Sequence, residues 1–235
     1  REVKNLSFFI YTLMKIIHFS SSNDILIEKF YNELLIPNFG IFPDELDSLE
    51  NFKLALDSKF QYQLNIILLF DDETLVAGCS YEFYPKSKCS LLTYIAVSKN
   101  HQGLGLSKTL INELLSQLSQ NHPDCLALLC ESNSDKVKGD VMDPKLRRKV
   151  LNNIGFQFLD FDYIQPPLST EQEKCKDLLL GVHKNWLMDN SISSEIIVNW
   201  LDEFYQVLIG DDYINDSDLT FVKSKYSVID LIYTL

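Results

Sequence analysis

Residues 94–110 read Tyr-Ile-Ala-Val-Ser-Lys-Asn-His-Gln-Gly-Leu-Gly-Leu-Ser-Lys-Thr-Leu. Tyr94 to Val97 suit a β-strand, Gly103 and Gly105 suit a sharp turn, and Leu106 and Leu110 begin an amphipathic helix. A strand that turns through glycines into a helix aims several backbone N–H groups, and the positive end of the helix dipole, at one point. An anion such as a pyrophosphate fits there, because glycine lets the backbone approach without a Cβ in the way. Alone, the turn is weakly specific. A dinucleotide site of the Rossmann kind needs Gly-x-Gly-x-x-Gly early in a repeated βαβ chain. Here Gly103 and Gly105 follow a run of strands that reads as antiparallel.

Other residues carry groups able to move protons or hold charge. Glu131 falls at the carboxyl end of an apolar strand and reads as a general base, an ammonium anchor or a strand-end surface charge. Glu82, inside an earlier strand, is the poorer candidate. Tyr94 and Tyr163 offer phenolic protons, or are packing aromatics with one satisfied hydroxyl. Arg147 and Arg148 read as anion binders or as solvated helix residues. The cysteines (Cys79, Cys89, Cys125, Cys130, Cys175) form no CxxC pair, and several lie in apolar runs. They read as buried, reduced thiols in a cytoplasmic protein. The histidines (His18, His101, His122, His183) lack ligand spacing, so no metal site is expected.

The elements that must position these groups follow from periodicity. Lys15–Phe19 reads as a first strand. Ile25, Leu26, Phe30, Leu34 and Leu35 recur at helical spacing until Pro37, which is expected to stop the helix. A second helix is expected to open at Pro43, with Asp44 and Glu45 in its first turn and Leu46, Leu49, Phe52 and Leu56 facing the core. Strands follow at Leu64–Phe70, Thr74–Tyr84 and Ser90–Val97. A helix carries Leu106, Leu110, Ile111, Leu114, Leu115 and Leu118, and Leu126–Cys130 is a further buried strand. Asp143-Pro144 starts a helix that ends near Gly155. Phe156–Ile164 and Leu178–Val182 read as the last strands, and Ser193–Ile209 as a final amphipathic helix. The tail beyond Gly210 is acidic and then apolar from Val228 to Leu235, which suits docking on the core or on a second copy of the chain.

Composition sets the outer bounds. The chain has 235 residues, 46% of them hydrophobic and 23% charged, which suits one sizeable globular core. A net charge of −12 disfavours nucleic acid and favours cationic small molecules or basic peptides. The run Leu6–Phe19 is too short to span a bilayer, and Glu2 and Lys15 interrupt any signal-peptide pattern. No membrane partner is expected, and residues 1–13 read as an extension preceding a unit that begins at Met14.

The element order and the segment Gln102-Gly103-Leu104-Gly105-Leu106-Ser107 together resemble the GNAT superfamily of acyl-CoA-dependent N-acyltransferases. Its signature is Arg or Gln, two residues, Gly, one residue, then Gly or Ala; Gln102, Gly105 and Ser107 occupy those places. Asn152-Asn153-Ile154-Gly155-Phe156 is similar to the family's helix ending in Leu-Gly-Phe. The resemblance implies an α/β fold with a mixed, mostly antiparallel central sheet flanked by helices. Residues 14–188 would form the acyltransferase domain, and 189–235 a C-terminal helical extension.

It also implies acetyl-CoA as acyl donor, with the pyrophosphate on the backbone N–H groups of Gln102, Gly103, Leu104, Gly105, Leu106 and Ser107. The backbone of Ile95, Ala96 and Val97 would bind the pantetheine arm and polarise the thioester. Lys108 would help hold a phosphate or is a solvated surface lysine, and Asn133 would help position the cofactor or is a turn residue. The implied activity is direct transfer of an acetyl group to a small primary amine, with Glu131, Tyr163 and Tyr94 as the catalytic candidates. Ser107 departs mildly from the signature, and two further family positions depart from the pattern. The fourth-strand glutamate of histone-type members falls near Leu91, and the usual tyrosine corresponds to Leu151. A non-catalytic CoA-binding module and a peptide N-acetyltransferase are therefore the alternatives.

Overall fold

The fold was read from a computed structural model, which describes residues 14–21, 24–40, 46–57, 60–139, 142–168 and 173–226. The expected extension at 1–13, Pro43 itself and the apolar tail from Val228 lie outside the described residues. Residues 46–48 are not helical, and the helix expected from Pro43 is present from Leu49, with Ser48 as its N-cap. The chain runs β1 (Lys15–Phe19), α1 (Asp24–Phe30), a π-helical stretch (Tyr31–Leu35), α2 (Ile36–Phe39) and α3 (Leu49–Leu56). It continues with β2 (Gln63–Asp71), β3 (Thr74–Tyr84), β4 (Cys89–Val97), α4 (Leu106–Asn121), β5 (Ala127–Asn133), α5 (Pro144–Asn153), β6 (Phe156–Phe158) and β7 (Leu178–His183). The helices α6 (Ser194–Ile209) and α7 (Ser217–Tyr226) follow.

The strands form one seven-stranded sheet in the order β1-β2-β3-β4-β5-β7-β6. Every neighbouring pair is antiparallel except β4 and β5, which are parallel. The central strands β2 and β3 are apolar nearly throughout because both faces are covered. On one face Ile67, Leu69, Val76 and Leu128 pack against Leu106, Leu110, Ile111 and Leu114 of α4. On the other, Ile66, Leu68, Leu75 and Tyr94 meet Ile27, Phe30 and Phe52 of α1 and α3. Further along that same face, Leu91, Leu129 and Leu180 meet Ile197, Trp200 and Phe204 of α6.

Three expectations change. Pro37 does not stop the first helix, which continues to Phe39. An interior proline lacks an N–H and clashes with the carbonyl one turn back. Here the Ile36 N–H bonds to the Tyr31 carbonyl, a π-type step that widens the helix just ahead of the ring. The strand expected at Phe156–Ile164 ends at Phe158. It pairs with residues 181–183 of β7, and after one further hydrogen bond, from the Leu159 N–H to the Leu180 carbonyl at 2.9 Å, the chain leaves the sheet. The helix ending at Ile209 is not the final one: Ser217–Tyr226 is also helical, with Asp218 in its first turn and Lys223 and Lys225 in its last.

One irregularity shapes the centre of the sheet. Ser80 pairs with Tyr94 while Tyr81 pairs with Leu92, so Thr93 is an extra residue in β4. Such a bulge bends the strand that carries it. The parallel pairing of β4 and β5 stops at Leu92 and Cys130. Beyond it β4 stays with β3, and β5 stays with β7 through Asn133. The two strands therefore part, leaving Thr93–Val97 on one bank and Glu131–Asn133 on the other.

Candidate active site

Strand alternation puts Ser80, Glu82 and Tyr84 of β3 on the face that carries Leu91, Tyr94 and Glu131. At the bulge the Thr93 hydroxyl donates to the Ser80 carbonyl at 3.0 Å. Glu82, 7% exposed, stands directly across from Leu91. It accepts a hydrogen bond from the Tyr84 hydroxyl. Burial pushes its carboxyl up to about 8; the Tyr84 bond works against that shift, and the charges of Asp47 and Glu131 add to it.

Asp47 enters from the segment before α3. Its backbone N–H donates to the Tyr94 hydroxyl oxygen at 3.1 Å, and burial raises its carboxyl too. Asp47, Tyr62, Glu82, Thr93 and Tyr94 line a cavity of about 10 Å³, room for one water molecule. Tyr62 packs against both helical layers of this face, so the cavity lies at their seam.

Glu131 sits on the β5 bank. The Tyr163 hydroxyl donates to its Oε1, and the Gln165 amide donates to both carboxylate oxygens at 3.0 Å. Gln165 is fixed by two backbone hydrogen bonds with Cys175, at 2.9 and 3.0 Å. Tyr163 lies over Trp200, centroids 6.2 Å apart, and Trp200 stacks on Phe204 at 4.8 Å. The ring of Tyr84 meets both α6 aromatics edge-on, at 6.4 and 5.9 Å. Helix α6 therefore backs the tyrosines that hydrogen-bond Glu82 and Glu131. Burial, and then the Glu131 charge, hold the Tyr163 phenol well above its ordinary range, so it stays protonated.

The far end of β4 leads into the glycine turn. The Ser98 N–H donates to the Val76 carbonyl at 2.8 Å, and Ser98 Oγ lies 2.7 Å from His101 Nδ1. Gly103 and Gly105 have φ of +77° and +80°, a region where a side chain is strained. A Cβ on Gly103 would meet nothing within 4 Å, so its requirement is conformational rather than steric. Gly105 caps α4 without a side-chain hydrogen bond. The first N–H groups of a helix have no intrahelical acceptors. Here the Lys108 N–H turns back to the Gly105 carbonyl at 3.0 Å, and the helix start follows an exposed loop of Gln102, Gly103, Leu104 and Gly105. Leu106 is buried, Ser107 half-buried and Lys108 exposed.

Residues 27–137 match the model of the Acetyltransferase (GNAT) family. That segment is a GNAT acetyltransferase domain. An acetyltransferase of the GNAT family from Bacteroides thetaiotaomicron overlays with a TM-score of 0.55 at 19% identity, covering 92% of this chain and 99% of its own. The ribosomal-protein-S18-alanine N-acetyltransferase of Escherichia coli gives 0.48 at 16% identity over 72% of this chain and 92% of its own. A GNAT acetyltransferase from Elizabethkingia anophelis with acetyl-CoA bound gives 0.47 at 13% identity over 73% and 97%. At these identities the first overlay shows the fold, and the others are likenesses. No curated protein sequence matches the chain.

Within this GNAT domain the glycine turn lies where β4 passes into α4, and Ile95, Ala96 and Val97 lie on the β4 bank of the opening. Glu131 and Tyr163 are brought into contact. Tyr94 shares their face but is tied to Asp47. Asn133 is buried, and its carbonyl accepts from Arg148 Nη1 at 2.8 Å. Arg148 is not a solvated helix residue: it is 4% exposed and also paired with Asp135. Through these contacts the buried Arg148 locks α5 to the end of β5. Asp47 and Tyr84 escaped the reading of the sequence, although Tyr84 follows Glu82 at strand spacing and so shares its face. Among the described residues, no group of three or more His, Cys, Asp or Glu is placed to hold a metal ion.

Proposed function

We propose that this protein transfers the acetyl group of acetyl-CoA to the primary amine of a small molecule by direct attack. The observation that carries the reading is the convergence of Glu82, Glu131 and Asp47 on one face, where β4 and β5 part. An ammonium group is attracted to such a place and must lose a proton there before it attacks. The left-handed Gly103 and Gly105, with the uncapped start of α4, fit an acyl-CoA pyrophosphate at the other end of β4. Gln102, Gly103, Leu104, Gly105, Leu106 and Ser107 would hold it through backbone N–H groups, and Ile95, Ala96 and Val97 the pantetheine arm. Lys108 is free to approach a phosphate from the surface, and Asn133 supports the opposite bank. Bound acetyl-CoA supplies the activated acetyl group.

Glu131 is the ammonium anchor in this scheme. Tyr163 and Gln165, both neutral donors, hold its carboxylate at the opening. Tyr94 presents a buried phenol on the same face, a proton donor for the departing thiolate. Covalent catalysis through a cysteine has little support. Burial pushes the thiols of Cys79, Cys89 and Cys130 up, and Cys125 to about 11, so thiolate is scarce at neutral pH.

Leu91 and Leu151, at the family's glutamate and tyrosine positions, favour a second reading: a CoA-binding module without turnover. One assay separates the two. Purified protein is given acetyl-CoA and a panel of small primary amines, and released thiol is followed alongside acetylated product by mass spectrometry. Transfer predicts both signals with at least one amine. Binding of acetyl-CoA with neither signal leaves the binding module.

A further inference from the structure

We infer that Glu82 is the general base that deprotonates the acceptor amine, replacing across the strand pair the carboxylate that Leu91 lacks. This inference rests on the acetyl-transfer reading. Directly opposed residues of an antiparallel pair lie on one face with Cβ atoms about 5 Å apart. A carboxylate on β3 at Glu82 therefore reaches much the same space as one on β4 at Leu91. Glu82 also lines the small cavity at the bulge, beside Thr93, where β4 begins to leave β5.

The surroundings separate the roles of the acidic groups. Glu131 has both oxygens engaged by Gln165 and one also by Tyr163, which suits a fixed anionic anchor. The Tyr84 hydroxyl engages Oε2 of Glu82 and aims the carboxyl. The groups that act on Glu82 are Asp47 ahead of α3, Glu131 on β5, Tyr84 beside it on β3, and Tyr62 and Tyr94 across the cavity. They make the site acidic and poorly hydrated, so the Glu82 carboxyl is pushed up to about 8. A base so placed takes a proton from an ammonium far more readily than an ordinary carboxylate does.

Ionised Glu82 takes one proton from the ammonium, and the freed nitrogen lone pair attacks the thioester carbonyl carbon. The new C–N bond forms as the C–S bond breaks, with the electron pair leaving on sulfur. The thiolate takes up a proton, and the nitrogen loses its second proton on becoming an amide. The net release is one proton, with nothing oxidised or reduced.

The test is a pH profile of kcat/KM on the full chain, using the amine panel above with 1,4-diaminobutane included, for the wild type, Glu82→Gln and Glu131→Gln. Glutamine keeps an acceptor for Tyr84, and acetyl-CoA-induced thermal stabilisation checks that each variant is folded. The wild type should lose activity as pH falls below about 8. Glu82→Gln should lose that limb and about 100-fold or more in kcat, whereas Glu131→Gln should mainly raise KM for the amine. Wild-type-like kcat and pH dependence in a folded Glu82→Gln variant overturns the role of Glu82 and leaves the transfer reading standing. Absence of turnover with every amine despite acetyl-CoA binding overturns both. A second measurement needs no substrate: ¹³C NMR of labelled glutamate carboxyls, assigned through Glu82→Gln, should show Glu82 titrating near pH 8. Titration in the ordinary carboxylate range contradicts the inference.

Discussion

Glu82 shows how a strand interior can hold a titrating group at a cost in stability. Its carboxyl is raised from 4.5 to about 8, chiefly by burial. Between those values the unfolded chain has released this proton while the folded chain still holds it. Stability from this group is therefore complete below pH 4.5, declines as pH rises, and levels off above about 8. The ceiling on that loss is roughly 4–5 kcal/mol. Glu82→Gln should consequently melt higher than the wild type at pH 9 and much closer to it at pH 5, as followed by circular dichroism. Glu131, at a strand end, was legible in the sequence as a candidate because its position along the chain signalled exposure. Glu82 was hard to rank, because its worth depends on Leu91, Asp47 and Tyr84 meeting it through register and packing.

At the scale of elements, two contacts decide whether the site's supports hold. Gly155 ends the α5 turn at φ +113°, and a Cβ there would lie 2.3 Å from His183 Nε2. Gly155→Ala should cost more than about 2 kcal/mol, read from urea unfolding, since strain and a buried ring both oppose it. Glu203 of α6 accepts from the N–H groups of Lys86 and Ser87, at 3.0 and 2.7 Å, and from Ser87 Oγ at 2.7 Å. Glu203→Ala would leave those buried donors of the β3–β4 turn unpaired and should cost about 2–4 kcal/mol. The helix starts at Asp143-Pro144 and Leu106 were legible because capping and glycine chemistry are local. The continuation of the first helix past Pro37 was not, since a π-type step is chosen by packing. The early end of β6 was not legible either, since the chain leaves the sheet while β7 still continues to Leu178.

Across the whole molecule, the helices beyond β7 complete the core rather than decorate it. Trp200, Phe204 and Tyr205 of α6 are almost fully buried against Leu91, Leu129 and Leu180 of the sheet. The GNAT family match ends at residue 137, so this backing is a feature of the chain outside that match. Trp200→Ala should destabilise by about 3–5 kcal/mol in chemical denaturation. It should also lower turnover in the protein that stays folded, because Tyr84 and Tyr163 lose the rings that hold them. Unchanged turnover would mean that the tyrosines need no such support. The order of elements was legible from periodicity and turn residues, and the mostly antiparallel sheet from the resemblance to the GNAT family. The opening beside Glu131 was expected from that resemblance, but the extra residue at its edge, Thr93, is visible only once the strands are paired.

The most direct measurement is the thermal unfolding midpoint with and without saturating acetyl-CoA, for the wild type and for Gly105→Val. A ligand that binds the native state alone must raise the midpoint. A β-branched residue at φ +80° cannot keep the loop's conformation. The account predicts a rise of several degrees in the wild type and none in a folded Gly105→Val variant. No rise in the wild type, or an equal rise in both proteins, would contradict it.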